Sequence, residues 1–347
     1  MAKPEVVESF GYFGTDVSKL VERYTSADTA GTSLVTGRTD RALRQASAVG
    51  AELTLTIASR STITVGFAYK PTTVFSFAPY KIFEFRDAGA VQNGLAVNGS
   101  GQLFIYRGNG SFGSPGTAVV TSTNALSQNT YHYIEVKINT HSSTGTADVQ
   151  VNNSATGWIS ATGLNTQATG SASVNAYAFK TGGTSFDAFS GEFDDFYLNA
   201  DGDTTFRGDR RMYTFFPNAD GSLVQWTLDS GSTHYTQLDD DPHDGDTSYA
   251  EDSTPGNQEL LGFTNMSTTP ISIDCVAVMG AIKKDDAGAR SVALVAKSGA
   301  TTLVGATQAL STSYKYYVEV YGEDPDTASP WTKSGVDAAE FGFETKA

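Results

Sequence analysis

Two acidic segments hold most of the side chains in this 347-residue chain that could do chemistry. The first is Glu192-Phe193-Asp194-Asp195. Alternation along a strand puts Glu192 and Asp194 on one face. Two carboxylates about 5–5.5 Å apart, one nucleophile and one acid, are what retaining glycoside hydrolysis requires. The second is the loop running from Asp239 to Asp252, in which Asp239, Asp241, Asp244 and Asp246 are candidate ligands for Ca²⁺. That ion takes roughly six to eight oxygen ligands, and such a loop can supply several. The full EF-hand spacing with its distal glutamate is absent, so a solvated acidic loop, placed at a subunit contact or in open water, accounts for the same residues. Asp201-Gly202-Asp203 is a weaker version of the same pattern.

Aromatic side chains offer a third chemistry, the stacking of sugar faces. Tyr80, Tyr106, Trp158 and Tyr177 lie in sequence near Asn98, Asn109 and Asn153, whose amides suit sugar hydroxyls. Trp158 and Tyr80 are the glycan-binding candidates, because they fall next to turns; any one aromatic serves equally in a core. The histidines are His132, His141, His234 and His243, and they form no zinc spacing. His132 shares the apolar face of a strand and reads as a core residue. No nucleophile elbow, phosphate loop or dinucleotide fingerprint occurs. Arg207-Gly208-Asp209-Arg210-Arg211 is the densest basic cluster and reads as a junction salt-bridged to Asp201, Asp203 and Asp209, or as a contact with a neighbouring subunit.

The elements that must carry these residues are strands. Thr62–Tyr69, Lys81–Phe85 and Tyr131–Ile138 alternate with period two, and helical periodicity is nearly absent. Asn98-Gly99-Ser100-Gly101 predicts a hairpin, since Asn and Gly tolerate positive φ. Thr146–Val151 predicts a second hairpin with Tyr131–Ile138. Short helical turns are expected at Val17–Tyr24 and Gly335–Ala339, and a strand-like run at Ile271–Ile282. Many short strands separated by turn clusters predict an all-β chain of two β-sandwich (jelly-roll) domains in tandem.

Charge marks the boundary. Residues 1–212 carry 18 acidic and 16 basic residues, and residues 213–347 carry 20 and 7. The expected domains are 1–205 and 206–347. A net charge of -15 argues against nucleic acid and anionic membrane surfaces as partners. The lone Cys275 excludes an intrachain disulfide and reads as a small buried hydrophobe. No apolar leader opens the chain and no 18-residue apolar stretch exists, so neither a signal peptide nor membrane insertion is expected.

The order TITVGFAY, NGLAVNGSGQLFIYR, TYHYIEVKI, TADVQVNN and GEFDDFYL resembles the concanavalin/laminin-G-like jelly roll. Laminarinase-type hydrolases of that fold place a second glutamate after the acidic pair. Here Phe196 or Tyr197 stands there, so the resemblance implies an incomplete catalytic set. The segments DTTFRGDRRMYTFFPNADG, LDDDPHDGDTSY, KKDDAGARSVALVAKSG and LSTSYKYYVEVYGEDPDTASPWTKSGVDAAEFGFE resemble a β-sandwich module of bacteriophage virion structural proteins. Together the resemblances imply a non-enzymatic virion protein exposed on the particle, in the tail or fibre or as capsid decoration. Such a protein is expected to contact other virion subunits, to form a homo-oligomer, to need no cofactor other than the candidate Ca²⁺, and to meet a host-surface glycan. The second expectation is a carbohydrate-binding, lectin-like adhesin. The third is a laminarinase-like glycoside hydrolase, which needs the missing glutamate.

Overall fold

The computed structural model describes residues 2–46, 51–75, 79–110, 115–180 and 190–347. It is all-β, with short helical turns at Gly11–Phe13, Val17–Lys19, Leu20–Arg23, Tyr235–Gln237 and Lys333–Ala338 among the described elements. The chain divides into two compact bodies. One is Glu5–Tyr213; the other is Thr214–Ala347 with the residues up to Pro4.

The first body has fifteen described strands: β1 Pro4–Glu8, β2 Ser26–Asp28, β3 Thr32–Thr36, β4 Arg41–Ala46, β5 Glu52–Arg60, β6 Thr62–Pro71, β7 Tyr80–Asp87, β8 Ala90–Val97, β9 Gln102–Arg107, β10 Thr117–Ala125, β11 His132–Asn139, β12 Gly145–Val151, β13 Ser154–Leu164, β14 Val174–Lys180 and β15 Ser190–Asn199. They form two antiparallel sheets. The first runs β13-β12-β11-β6-β15-β4-β3, with β1 also on β15; the second runs β10-β9-β8-β7-β14-β5-β2. The expected hairpins are present. Gly101 N–H donates to the Asn98 carbonyl at 2.9 Å and takes φ +80°, a conformation open to glycine. Val136 pairs with Val149 in the other.

Alternation delivers the core. Phe67 of β6 stacks on Phe83 of β7 with centroids 5.3 Å apart, and Phe179 meets Phe193 at 5.3 Å, so each inner face contributes rings to one aromatic layer. Burying each such ring contributes roughly 1.5–3 kcal/mol. His132 is buried on this side and its Nε2 lies 3.0 Å from the Ser127 amide, which satisfies it.

The second body pairs Gln258–Phe263, Glu340–Lys346 and Ser291–Ser298 in its main sheet. A two-stranded antiparallel sheet of Val276–Ile282 and Lys315–Tyr321 packs on it through Val278, Tyr321, Leu294 and Phe341 around Trp331. The strand-like run expected from Ile271 begins only at Val276: Ile271 is fully exposed and Cys275 is half-buried. Lys3 joins this body through the Val320 carbonyl at 2.6 Å.

Candidate functional site: a polar groove on one sheet face

In β7 the aromatic rings of Phe83 and Phe85 point into the sandwich, so Glu84 and Arg86 point out. The register sets Ala178 of β14 beside both Glu84 of β7 and Thr54 of β5, and Lys180 beside Glu52. On β14 the outward positions between β5 and β7 are therefore Ala176 and Ala178, whose methyl groups leave room above them. Arg86 crosses that gap. Its guanidinium holds Glu52 at 2.5 and 2.7 Å and Glu84 at 2.5 and 3.0 Å. Lys81 donates to Glu84 at 2.6 Å and to the Asn109 amide oxygen at 2.7 Å. Lys180 donates to Glu52 at 2.6 Å. From the other side Tyr106 of β9 leans over Gly94 of β8 and brings its hydroxyl to 3.4 Å from Glu84.

Glu52, Arg86 and Lys180 of this network floor an open groove of about 650 Å³. Its walls include Ala90 and Val91 of the β7–β8 hairpin, Asn109, and Ala168–Thr169. The 168–173 wall is pinned rather than loose. The buried Gln92 side chain accepts from the Ala168 and Thr169 amides at 2.5 and 2.9 Å and donates to the Ser171 and Ser173 carbonyls. Asp87 accepts from the Thr169, Ser171 and Ser173 hydroxyls, which hold its carboxyl below the usual range.

Burial alone pushes both glutamates up, but their cations more than offset it. Glu52 is held down to about 2 by Arg86 and Lys180, and Glu84, which is fully buried, is held below the usual range by Lys81 and Arg86. Both are ionised at neutral pH. The floor thus presents fixed acceptors beside fixed donors, and neither glutamate holds a proton to give.

The outer face of the first sheet is different: it is covered. Glu192 is clamped by Arg44 at 2.5 Å, Lys70 at 2.6 Å and the Tyr131 hydroxyl at 2.9 Å. Asp194 accepts from the Arg38 amide, and Asp195 sits at a break in the β15–β6 register with φ +51°. Burial pushes both aspartates up, and their mutual repulsion raises Asp195 further. Residues 203–212, expected as a junction, lie along this face as a strap. Buried Glu135 accepts from the Arg207 and Gly208 amides at 2.7 and 2.9 Å, and Asp195 from the Met212 amide at 2.6 Å. The expected ion pairs Arg207–Asp203 and Arg211–Asp209 form, and Arg207 is almost wholly buried.

No family model matches the sequence, and no curated protein matches it. Solved structures do. A sialidase aligns at 13% identity and TM-score 0.40 over 58% of this chain, which spans only 19% of the sialidase. Alginate lyase vAL-1 from Chlorella virus aligns at 15% and 0.37, over 54% of this chain and 98% of the lyase. The catalytic domain of the glycoside hydrolase family 131 protein from Coprinopsis cinerea aligns at 11% and 0.40, over 60% and 99%. The likeness is one of fold. It overturns the expectation of a non-enzymatic bacteriophage virion protein: the named neighbours are carbohydrate-active enzymes, and nothing specific to a phage particle supports that reading or the phage origin of the second body's sandwich.

The remaining candidates are dispersed. Tyr80 opens β7 and is buried, while Trp158 is half-buried on β13 in the other sheet, so the two do not share a surface. Tyr106 and Asn109 do meet, at the groove, through Lys81. In the acidic loop Asp246 is taken by Lys283 at 2.6 Å and by the Tyr314 hydroxyl at 2.9 Å, and Asp244 by the Ser248 hydroxyl at 3.1 Å. Among the described residues no three His, Cys, Asp or Glu side chains converge as a metal site.

Sequence reasoning missed Glu52, Glu84, Arg86 and Lys180. A signal was present in KIFEFRD, where an acid and a base two residues apart share the face opposite two phenylalanines.

Proposed function

We propose that the Glu5–Tyr213 body recognises carbohydrate in the groove above Arg86. One observation carries this: ionised acceptors and cationic donors alternate across three adjacent strands at the floor of an open groove. A sugar hydroxyl both donates and accepts, and vicinal hydroxyls present these roles side by side. Fixed neighbours such as Glu52 and Lys180 meet them without reorganising, which limits the entropy lost on binding. The arrangement of two facing sheets supplies rigid strands for that floor.

The test is a panel of immobilised neutral and acidic glycans, with new reducing ends measured in parallel to read turnover. Binding is expected for the wild type and lost in Ala90→Trp and Ala168→Trp, which fill the groove from exposed wall positions while melting normally. Binding that survives both tryptophans would overturn the reading.

A further inference from the structure

Resting on that reading, we infer that the groove selects carbohydrate bearing a carboxylate, a uronate-type sugar, and that Lys180 is the group that selects it. The donor count separates the three cations. Arg86 spends its N–H groups on Glu52, Glu84 and, at 3.5 Å, the Thr54 hydroxyl, so it keeps none for a ligand. It is a positioning residue. Lys180 gives one N–H to Glu52, and Lys81 gives two, to Glu84 and Asn109. Each ammonium has three, so Lys180, which lines the groove, retains two for a ligand there, while Lys81 stands outside the lining with its ammonium over the Tyr106 ring.

Charge points the same way. Of the charged side chains that line the groove itself, Arg86 and Lys180 are cations and Glu52 is the carboxylate, a local surplus of one positive charge. A neutral sugar leaves that surplus unpaired; a sugar carboxylate takes a charge-assisted bond from it, about twice as strong as a neutral one. The acidity of the whole chain does not cancel this. Most of it belongs to residues 213–347, and at physiological salt charges beyond about 8 Å are largely screened.

The experiment uses uronate oligosaccharides of several stereochemistries and the same oligosaccharides after carboxyl reduction, titrated by calorimetry into the full chain. At least one uronate series is expected to bind tenfold or more tighter than its reduced counterpart, with the gap shrinking as salt rises. Lys180→Gln should narrow the gap, and Lys180→Arg should keep it. Equal binding of charged and reduced forms, abolished by Ala90→Trp, would sink the acidic-sugar inference and leave the groove reading standing. Binding of neither form, or binding indifferent to Ala90→Trp, would sink both.

Discussion

The hydroxyl of Tyr106 reaches Glu84, 3.4 Å away, by passing over Gly94 on the strand between them. The first sheet repeats the device. Tyr197 of β15 passes over Gly66 of β6 and bonds Glu135 of β11. In each case a long side chain spans two strand spacings, about 9.5 Å, because the intervening position has no side chain. Arg86 makes a similar crossing above Ala176 and Ala178, whose side chains are only methyl groups.

Gly94→Ala should therefore destabilise the first body. The new methyl would meet the Phe83 carbonyl and lie 2.6 Å from the Tyr106 hydroxyl. Overpacking of this kind costs about 1–3 kcal/mol. Tyr106→Phe, which loses only one long hydrogen bond, should cost about 1 kcal/mol or less. Denaturant melts of the two variants give the comparison, and an unaltered Gly94→Ala midpoint would refute the crossing.

Arg86→Met should destabilise by about 3 kcal/mol, because Glu84 is left buried with Lys81 as its remaining cation. Adding Glu84→Leu should recover part of that loss, since an apolar pair needs no partner charge. A double mutant no more stable than Arg86→Met would show that Glu84 does not depend on Arg86.

Stability should respond to pH with two opposite signs. Glu52 is depressed to about 2 from an unfolded value near 4.3. Its contribution is full above about pH 4.3 and is lost as pH falls toward 2, and Glu52→Gln should flatten that acid limb. Asp195 is raised, up to about 8. Its contribution is present below about pH 4, the unfolded value, and is lost as pH rises through 8. Asp195→Asn should thus melt higher than wild type at pH 9 and lose most of that advantage at pH 4; asparagine also tolerates the positive φ there. Thermal melts across pH 2–9 decide both.

The strap should open when Glu135 is removed. Glu135→Ala orphans the Gly208 amide, removes the acceptor of the Tyr197 hydroxyl and leaves the Arg207 amide only that hydroxyl, at 3.2 Å. Trypsin should then cut at Arg207 at least tenfold faster than in the wild type, where that residue is buried. Equal cleavage rates would mean the strap is held by other contacts.

Much of the architecture was legible because a strand's side chains alternate with period two. TITVGFAY, TYHYIEVKI and the Asn98–Gly101 turn announced their strands and hairpins. GEFDDFYL announced its strand but not its break, because the disorder of register at Asp195 depends on what β6 and the strap require. The acidic loop looked like an ion site because its aspartates are close in sequence; Lys283 and Tyr314, which take Asp246, come from more than 35 residues away.

By itself the sequence determined which side chains are oily and which are polar along each strand, and hence two faces per strand, the hairpin turns and an aromatic layer. Alternation is silent about which polar face stays open. That was decided in three dimensions, by residues 203–212 lying over Glu135 and Asp195 on one sheet and by nothing comparable among the described residues crossing Glu52, Arg86 and Lys180 on the other. Covering a face needs a distant segment whose backbone amides find acceptors there, and only folding brings such partners together.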